Sequence, residues 1–277
     1  MTGTSPAAID LETAFDGTPL RHPTRPRSRY RPLAAVRHFR ELLKDKENTA
    51  EVFRIYDALP SRQFVPRVRA LTLSPHGDAL RRSEPFLPPI LDDHDALRKT
   101  PAGSVAHAYC DFMVSEGLSA TGLVAEFEKA GRPVYDDLVQ WFGFRQRDTH
   151  DLMHVLTGYG RDALGEQCVL LFTHGQSPSH GHLLLGYAGS VHLKKLVKSA
   201  APVMKAVRQA HRTGKACPPL VGLSIRELLA KDLRQARAEL NIPEPDRYRE
   251  CHRIWREEGI DPYDLLAQQE PELAAAA

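Results

Sequence analysis

Apolar residues recur along the chain at the three-to-four-residue interval of a helix, and no stretch sustains the polar/apolar alternation of a strand. In 32–47, Leu33, Val36, Phe39, Leu42 and Leu43 fall at helical spacing behind Pro32, a residue suited to a helix start. The pattern repeats in 49–59 with Val52, Phe53, Ile55, Tyr56 and Leu59. Residues 60–100 are rich in Pro and polar side chains and read as loop with short helices. Further helices are predicted over 106–117, closed by Gly117, and over 118–131, with Ser119 as cap and Gly131 as stop. The segment 134–144 is apolar enough to be deeply packed. Beyond it, 182–211 is helix-compatible with a break at Pro202, 224–242 reads as one strong helix, and 249–258 as a last one. The expected class is all-α: a single helical domain over 31–242, with a flexible basic tail at 1–30 and an extension at 243–277.

Composition narrows this picture. A chain of 277 residues with 42% hydrophobic and 26% charged side chains buries a sizeable core, which excludes a disordered chain, a collagen or a coiled-coil rod. Lys+Arg is 37 against Asp+Glu 35, so overall charge gives no case for nucleic acid and any basic face is local. One such face exists: residues 21–40 hold seven arginines and no acid, either a solvated arm or a contact for anionic lipid or a partner. Lys194, Lys195 and Lys198 form a second basic face, which reads as a solvated helix surface or a membrane-docking one. Cys110, Cys168, Cys217 and Cys251 lack any C-x-x-C spacing and read as buried free thiols in a reducing compartment. No run of about 18 apolar residues is present, so no membrane-crossing helix is expected. The start lacks a signal-peptide core, and Asp10, Glu12 and Asp16 argue against a simple transit peptide.

The chemistry concentrates at 147–174. His150 and His154 are four residues apart, which puts them about 40° apart around a helix axis, with Asp151 about 60° from His154. Paired imidazoles at this spacing are the geometry of helical metal sites. Asp stands where H-E-x-x-H sites carry a Glu general base, and its shorter reach suits a ligand. Gly158 and Gly160 end the helix, Asp162 can cap a second, and Glu166 would fold back on that helix towards the first. Two imidazoles with two carboxylates suit Zn²⁺, Fe²⁺, Mn²⁺ or Co²⁺ and argue against a thiolate site. The same residues have plainer uses: Asp148-x-x-Asp151 as a capping arrangement, Glu166 on a solvated face, and the histidines as packed groups bonded to carbonyls. His174, His180 and His182 form a second histidine cluster of irregular spacing, read as a loop over the site rather than a second metal. Cys168 has no visible activating partner and reads as core.

HDLMH followed by eleven residues and Glu166, within HVLTGYGRDALGE, resembles the H-D-x-x-H-x11-E signature of the coenzyme Q (ubiquinone) biosynthesis protein four family. The likeness continues in PLAAVRHFRELLKDKENTAEVFRIYDAL, LRKTPAGSVAHAYCDFMVSEGLS and LVGLSIRELLAKDLRQARAELNI, and covers roughly 31–242. The resemblance implies an all-helical fold with metal ligands at His150, Asp151, His154 and Glu166, which would also be the catalytic residues, and with zinc as the usual metal. It implies a protein peripheral to a membrane, on the cytoplasmic face in a bacterium or the matrix side of the mitochondrial inner membrane. Its implied partners are a polyprenylated benzoate and other ubiquinone biosynthesis enzymes, and a homo-oligomer is expected. The implied reaction removes the C1 carboxylate of a polyprenylated hydroxybenzoate, coupled to hydroxylation at that carbon; the alternative is a non-catalytic scaffold that binds prenyl lipid. Arg145, Arg147 and Arg161 flank the site, either facing solvent or holding a substrate carboxylate. For the isoprenoid tail, Leu183, Leu184, Leu185, Gly186, Tyr187 and Gly189 offer either a slot or close helix packing.

Overall fold

The computed structural model describes residues 12–44 and 48–265, and these are all-helical, with two isolated β-bridges and no strand among them. The order is α1 (Pro32–Lys44), α2 (Thr49–Ala58), α3 (Phe64–Thr72), α4 (Pro75–Ser83), α5 (Pro88–Leu91), α6 (His94–Leu97), α7 (Val105–Ser115), α8 (Ala120–Lys129), α9 (Leu138–Asp148), α10 (His150–Thr157), α11 (Ala163–Gln176), α12 (His180–Leu196), α13 (Val203–Ala216), α14 (Ile225–Ala230), α15 (Leu233–Glu239) and α16 (Asp246–Glu257). The start of the 1–30 tail and the Ala-rich end lie outside the described residues.

Local chemistry accounts for most boundaries. Ser104, Ser119, Asp137, Asp162, Ser179 and Ser224 each accept a backbone N–H at a helix start, satisfying donors that have no partner inside the helix. The main core joins α7, α10, α11, α13 and α16 around Tyr109, Leu152, Leu156, Phe172, Val207 and Trp255. At its centre α11 and α13 touch backbone to backbone: a Cβ on Gly214 would lie 2.0 Å from the Phe172 carbonyl oxygen. Two satellite clusters, one between α3 and α9 and one between α1, α2 and α12, flank this core.

Three expectations change. The single helix read over 224–242 is two, α14 and α15. Lys231 O accepts from Val105 N at 2.8 Å, Leu233 N donates to Gly103 O at 3.0 Å, and Asp232 caps the restart by accepting from Arg234 N and Gln235 N. Pairing with a distant segment thus overrides a continuous helical pattern. The flexible tail expected at 1–30 is packed against the domain over residues 12–25, while 26–31, with Arg27, Arg29 and Arg31, is exposed. Ala14 and Leu20 are buried beside Val68, Leu138 and Phe142. The carbonyls of Pro19 and Leu20 accept the first amides of α9, from Leu138 at 3.0 Å and Val139 at 3.2 Å. Arg25 closes on Asp137 at 2.6 Å and lies over the Tyr135 ring. The 174–182 histidines sit in helix ends rather than a covering loop: His174 closes α11 and His180 opens α12.

Candidate metal centre

α9 ends at Asp148, Thr149 bridges, and α10 begins at His150. α10 is eight residues long because Gly158 takes the left-handed conformation (φ 73°) at its end. Its last carbonyls are covered by Arg237, whose Nε donates to Leu156 O at 2.8 Å and Nη2 to Val155 O at 3.1 Å. Asp162 then starts α11, capping Leu164 N and Gly165 N, and sends Glu166 back towards α10.

His150, Asp151 and His154 each offer one donor atom, and the three lie within 4.8 Å of one another. Glu166 closes the group from α11: Oε2 is 3.5 Å from His150 Nε2, and Oε1 is 3.6 Å from His154 Nε2. His150, Asp151 and His154 are thus brought together, and Glu166 approaches the two histidines. His154 is fully buried, stacked on Phe112, and its Nδ1 bonds to the Tyr159 carbonyl at 3.0 Å. That bond assigns the Nδ1 proton and leaves Nε2 to face Glu166 and His150, which is how metal-binding histidines are held. Burial opposes ionisation of Glu166, but the neighbouring imidazoles of His150 and His154 outweigh it and hold the carboxyl well below the usual range. Burial likewise disfavours charge on His150, and the Glu166 carboxylate overcomes it to raise the imidazole.

His150, Asp151 and Glu166 lie on the wall of a cavity of about 1970 Å³ bounded by the arm, α1, α2, α8, α9, α11 and α12. Much of its lining is apolar, including Leu42, Val52, Phe53, Leu118, Leu170 and Leu185. Gly189 belongs to this wall, whereas a Cβ on Gly186 would sit 2.5 Å from Leu171 Cγ, so that glycine serves close packing. Arginine side chains gather around the cavity, among them Arg27, Arg29, Arg31, Arg62 and Arg161.

The three flanking arginines separate into different roles. Arg145 is buried and bonded to Glu84 at 2.6 Å and to the Val221 and Leu223 carbonyls, so it is structural. Arg147 lies on the Phe144 ring with Nε donating to Asp148 at 2.7 Å. Arg161 is half-exposed on the cavity, its Nε 3.7 Å from Glu166 Oε1. Two further cavity residues are visible in the sequence only as an apolar helix position, Tyr56, and as one of a histidine cluster, His182. Tyr56 comes from α2, its phenol pushed up by burial and by the Glu166 charge. His182 packs on Tyr56, and burial, then His174 and His150, push its imidazole down to about 3. Tyr56 arrives from α2, remote in sequence, and His182 from α12, the helix after α11. The four cysteines are free and buried.

Residues 63–246 match the family described as Coenzyme Q (ubiquinone) biosynthesis protein Coq4. The chain is 28% identical over 174 residues to the mitochondrial ubiquinone biosynthesis protein of Zygosaccharomyces rouxii, covering 62% of this chain and 50% of that protein. It is 26% identical over 216 residues to the one from Aspergillus clavatus, covering 77% of this chain and 73% of that protein. The chain thus spans half of the first relative and about three quarters of the second. A crystal structure from Nostoc punctiforme aligns with a TM-score of 0.52 at 22% identity, over 78% of this chain and 100% of that one, a likeness of fold. No described helix is long and apolar enough to cross a membrane. The matched span runs from just before α3 to the first residue of α16 and contains both helices of the His/Asp/Glu cluster, and on that match the chain belongs to the Coenzyme Q (ubiquinone) biosynthesis protein Coq4 family.

Proposed function

We propose that the protein holds a divalent cation through His150, Asp151, His154 and Glu166 and removes the C1 carboxylate of a polyprenylated hydroxybenzoate as carbon dioxide, with hydroxylation at that carbon in which dioxygen is the oxidant and the oxygen source. One observation carries the reading: donors of His150, Asp151 and His154 lie within 4.8 Å of one another, with Glu166 against both histidines, beside a cavity of about 1970 Å³ with apolar walls. The donors fit a cation of borderline hardness, Zn²⁺ by family resemblance, with Fe²⁺, Mn²⁺ or Co²⁺ suited to the same set. When bound, such an ion supplies Lewis-acid stabilisation of the charge that develops as carbon dioxide leaves.

The chain's own residues do the remaining work. Tyr159, through its carbonyl, keeps the His154 proton on Nδ1. The apolar wall takes the isoprenoid tail and excludes water from the ring. Arg161, with Glu166 as its nearest acid, offers positive charge to a substrate carboxylate. In the same reading the protein lies peripherally on a membrane, cytoplasmic in a bacterium or matrix-facing in a mitochondrion, among other enzymes of the pathway.

The test is anaerobic purification with metal analysis, then incubation with a prenylated hydroxybenzoate and oxygen. The expected result is stoichiometric metal and carbon dioxide release, both lost in His154→Ala. Full complementation of a quinone-deficient strain by that variant defeats the enzymatic reading. Stoichiometric metal without turnover favours the prenyl-lipid scaffold.

A further inference from the structure

The clustered ligands come from two helices, so the turn between them, residues 158–162, sets how α10 and α11 face each other. That turn is gripped from outside by α16, nearly all of which lies beyond the matched family span. The Tyr248 hydroxyl donates to Asp162 Oδ2 and accepts from Gly160 N at 3.0 Å. Its ring meets the Tyr159 ring edge-on at 5.4 Å. On one side, the Tyr159 carbonyl is the partner of His154 Nδ1. On the other, Asp162 caps α11, and its carbonyl accepts from Glu166 N at 3.0 Å.

A second α16 residue backs the first. His252 Nε2 lies 3.2 Å from Asp162 Oδ1, and its ring packs on Tyr248 at 4.2 Å. Tyr248, His252 and Trp255 are all buried, and Trp255 is fully so. The phenol therefore uses both its donor and its acceptor capacity on one conformation of the turn. Any other conformation leaves a buried carboxylate and a backbone amide without their partner, which is costly in a dry interior.

We propose that Tyr248, backed by His252, is a positioning residue of the metal centre: by clamping the 159–162 turn it sets the placement of Glu166 against His150 and His154. The proposal rests on the metal reading above. Its test is Zn²⁺ affinity by chelator competition, together with the visible spectrum of the Co²⁺-substituted protein. Both are measured in the wild type, Tyr248→Phe and Trp255→Phe. The last variant loosens the same helix at a side chain whose indole nitrogen makes no hydrogen bond to the turn. The expected result is that Tyr248→Phe weakens Zn²⁺ about tenfold, the lower edge for outer partners of metal ligands, and alters the Co²⁺ spectrum. Trp255→Phe lowers thermal stability and changes neither readout. Unchanged affinity and spectrum in Tyr248→Phe overturn the clamp while leaving the metal reading intact. Equal weakening by Trp255→Phe also overturns it, because α16 then acts only through docking. A wild-type protein that takes up no divalent ion removes the metal reading itself, and the clamp with it. Hydrogen exchange needs no variant: the Gly160 amide in the full wild-type chain is expected to be protected like the α11 core, and rapid exchange there overturns the proposal.

Discussion

Glu84 is a buried carboxylate that accepts four hydrogen bonds, and replacing it by Gln has a calculable cost. Its Oε2 accepts from Arg145 Nη2 at 2.6 Å and Ile225 N at 3.1 Å; its Oε1 accepts from Ser224 Oγ at 2.9 Å and Arg226 N at 2.9 Å. The Glu84 side chain is fully buried and that of Arg145 is 2% exposed. In Glu84→Gln one oxygen becomes a donor facing donors, and the buried guanidinium loses its counter-charge. Removing one partner of a buried pair costs about 3–5 kcal/mol. For a protein of this size that corresponds to a melting point lower by roughly 6–20 °C.

The pH dependence has a definite sign. Burial pushes the Glu84 carboxyl up, but the Arg226 amide, the Arg145 guanidinium and the Ile225 amide outweigh it and lower it below 4.5. A depressed carboxylate contributes stability that is complete above its unfolded value and is lost as pH falls through the folded one. The gap between wild type and Glu84→Gln is therefore widest near neutrality and narrows in acid, where the wild-type carboxyl becomes neutral too. Urea unfolding followed by circular dichroism from pH 7 downwards measures it. A gap below about 1 kcal/mol at pH 7, the size of an ordinary substitution, refutes the reasoning.

Two other perturbations test the fold and its surface. Gly214→Ala places a methyl 2.0 Å from the Phe172 carbonyl oxygen, so α11 and α13 must part. The strain, about 1–3 kcal/mol or more, exceeds the roughly 1 kcal/mol that Ala adds to helix propensity. A thermal melt should fall by several degrees, and an unchanged or higher midpoint contradicts the packing. Arg27, Arg29 and Arg31 are exposed at the cavity rim near exposed Tyr30 and Leu33. At about 1 kcal/mol per basic residue near an anionic surface, changing all three to Ala should weaken binding to phosphatidylglycerol vesicles by roughly a hundredfold. Equal sedimentation of the triple variant and the wild type dismisses this surface as a lipid contact.

The helical class, most helix ends and the grouping of His150, Asp151 and His154 are legible in the sequence because each depends on neighbours in the chain. The i, i+4 spacing puts His150 and His154 on one side of any helix that contains them. Gly158 and Asp162 end and restart the helix through local backbone chemistry, and so carry Glu166 back into range. Ser119 capping α8 and the break before α13 at Pro202 are legible for the same reason. Long-range pairing decided the rest. Residues 224–242 have the periodicity of one helix, yet the 103–105 backbone claims Lys231 O and Leu233 N and splits it. The tail ahead of the arginines looks free until the unpaired first amides of α9 find the Pro19 and Leu20 carbonyls. Tyr56 and Tyr248 carry no local signature of the site, and His182 reads only as one of a histidine cluster, because each acts through a surface that packing assembles. Spacing along a helix is set by covalent geometry, whereas the placement of one helix against another is set by which side chains and backbone groups meet on packing, and only the folded molecule contains that information.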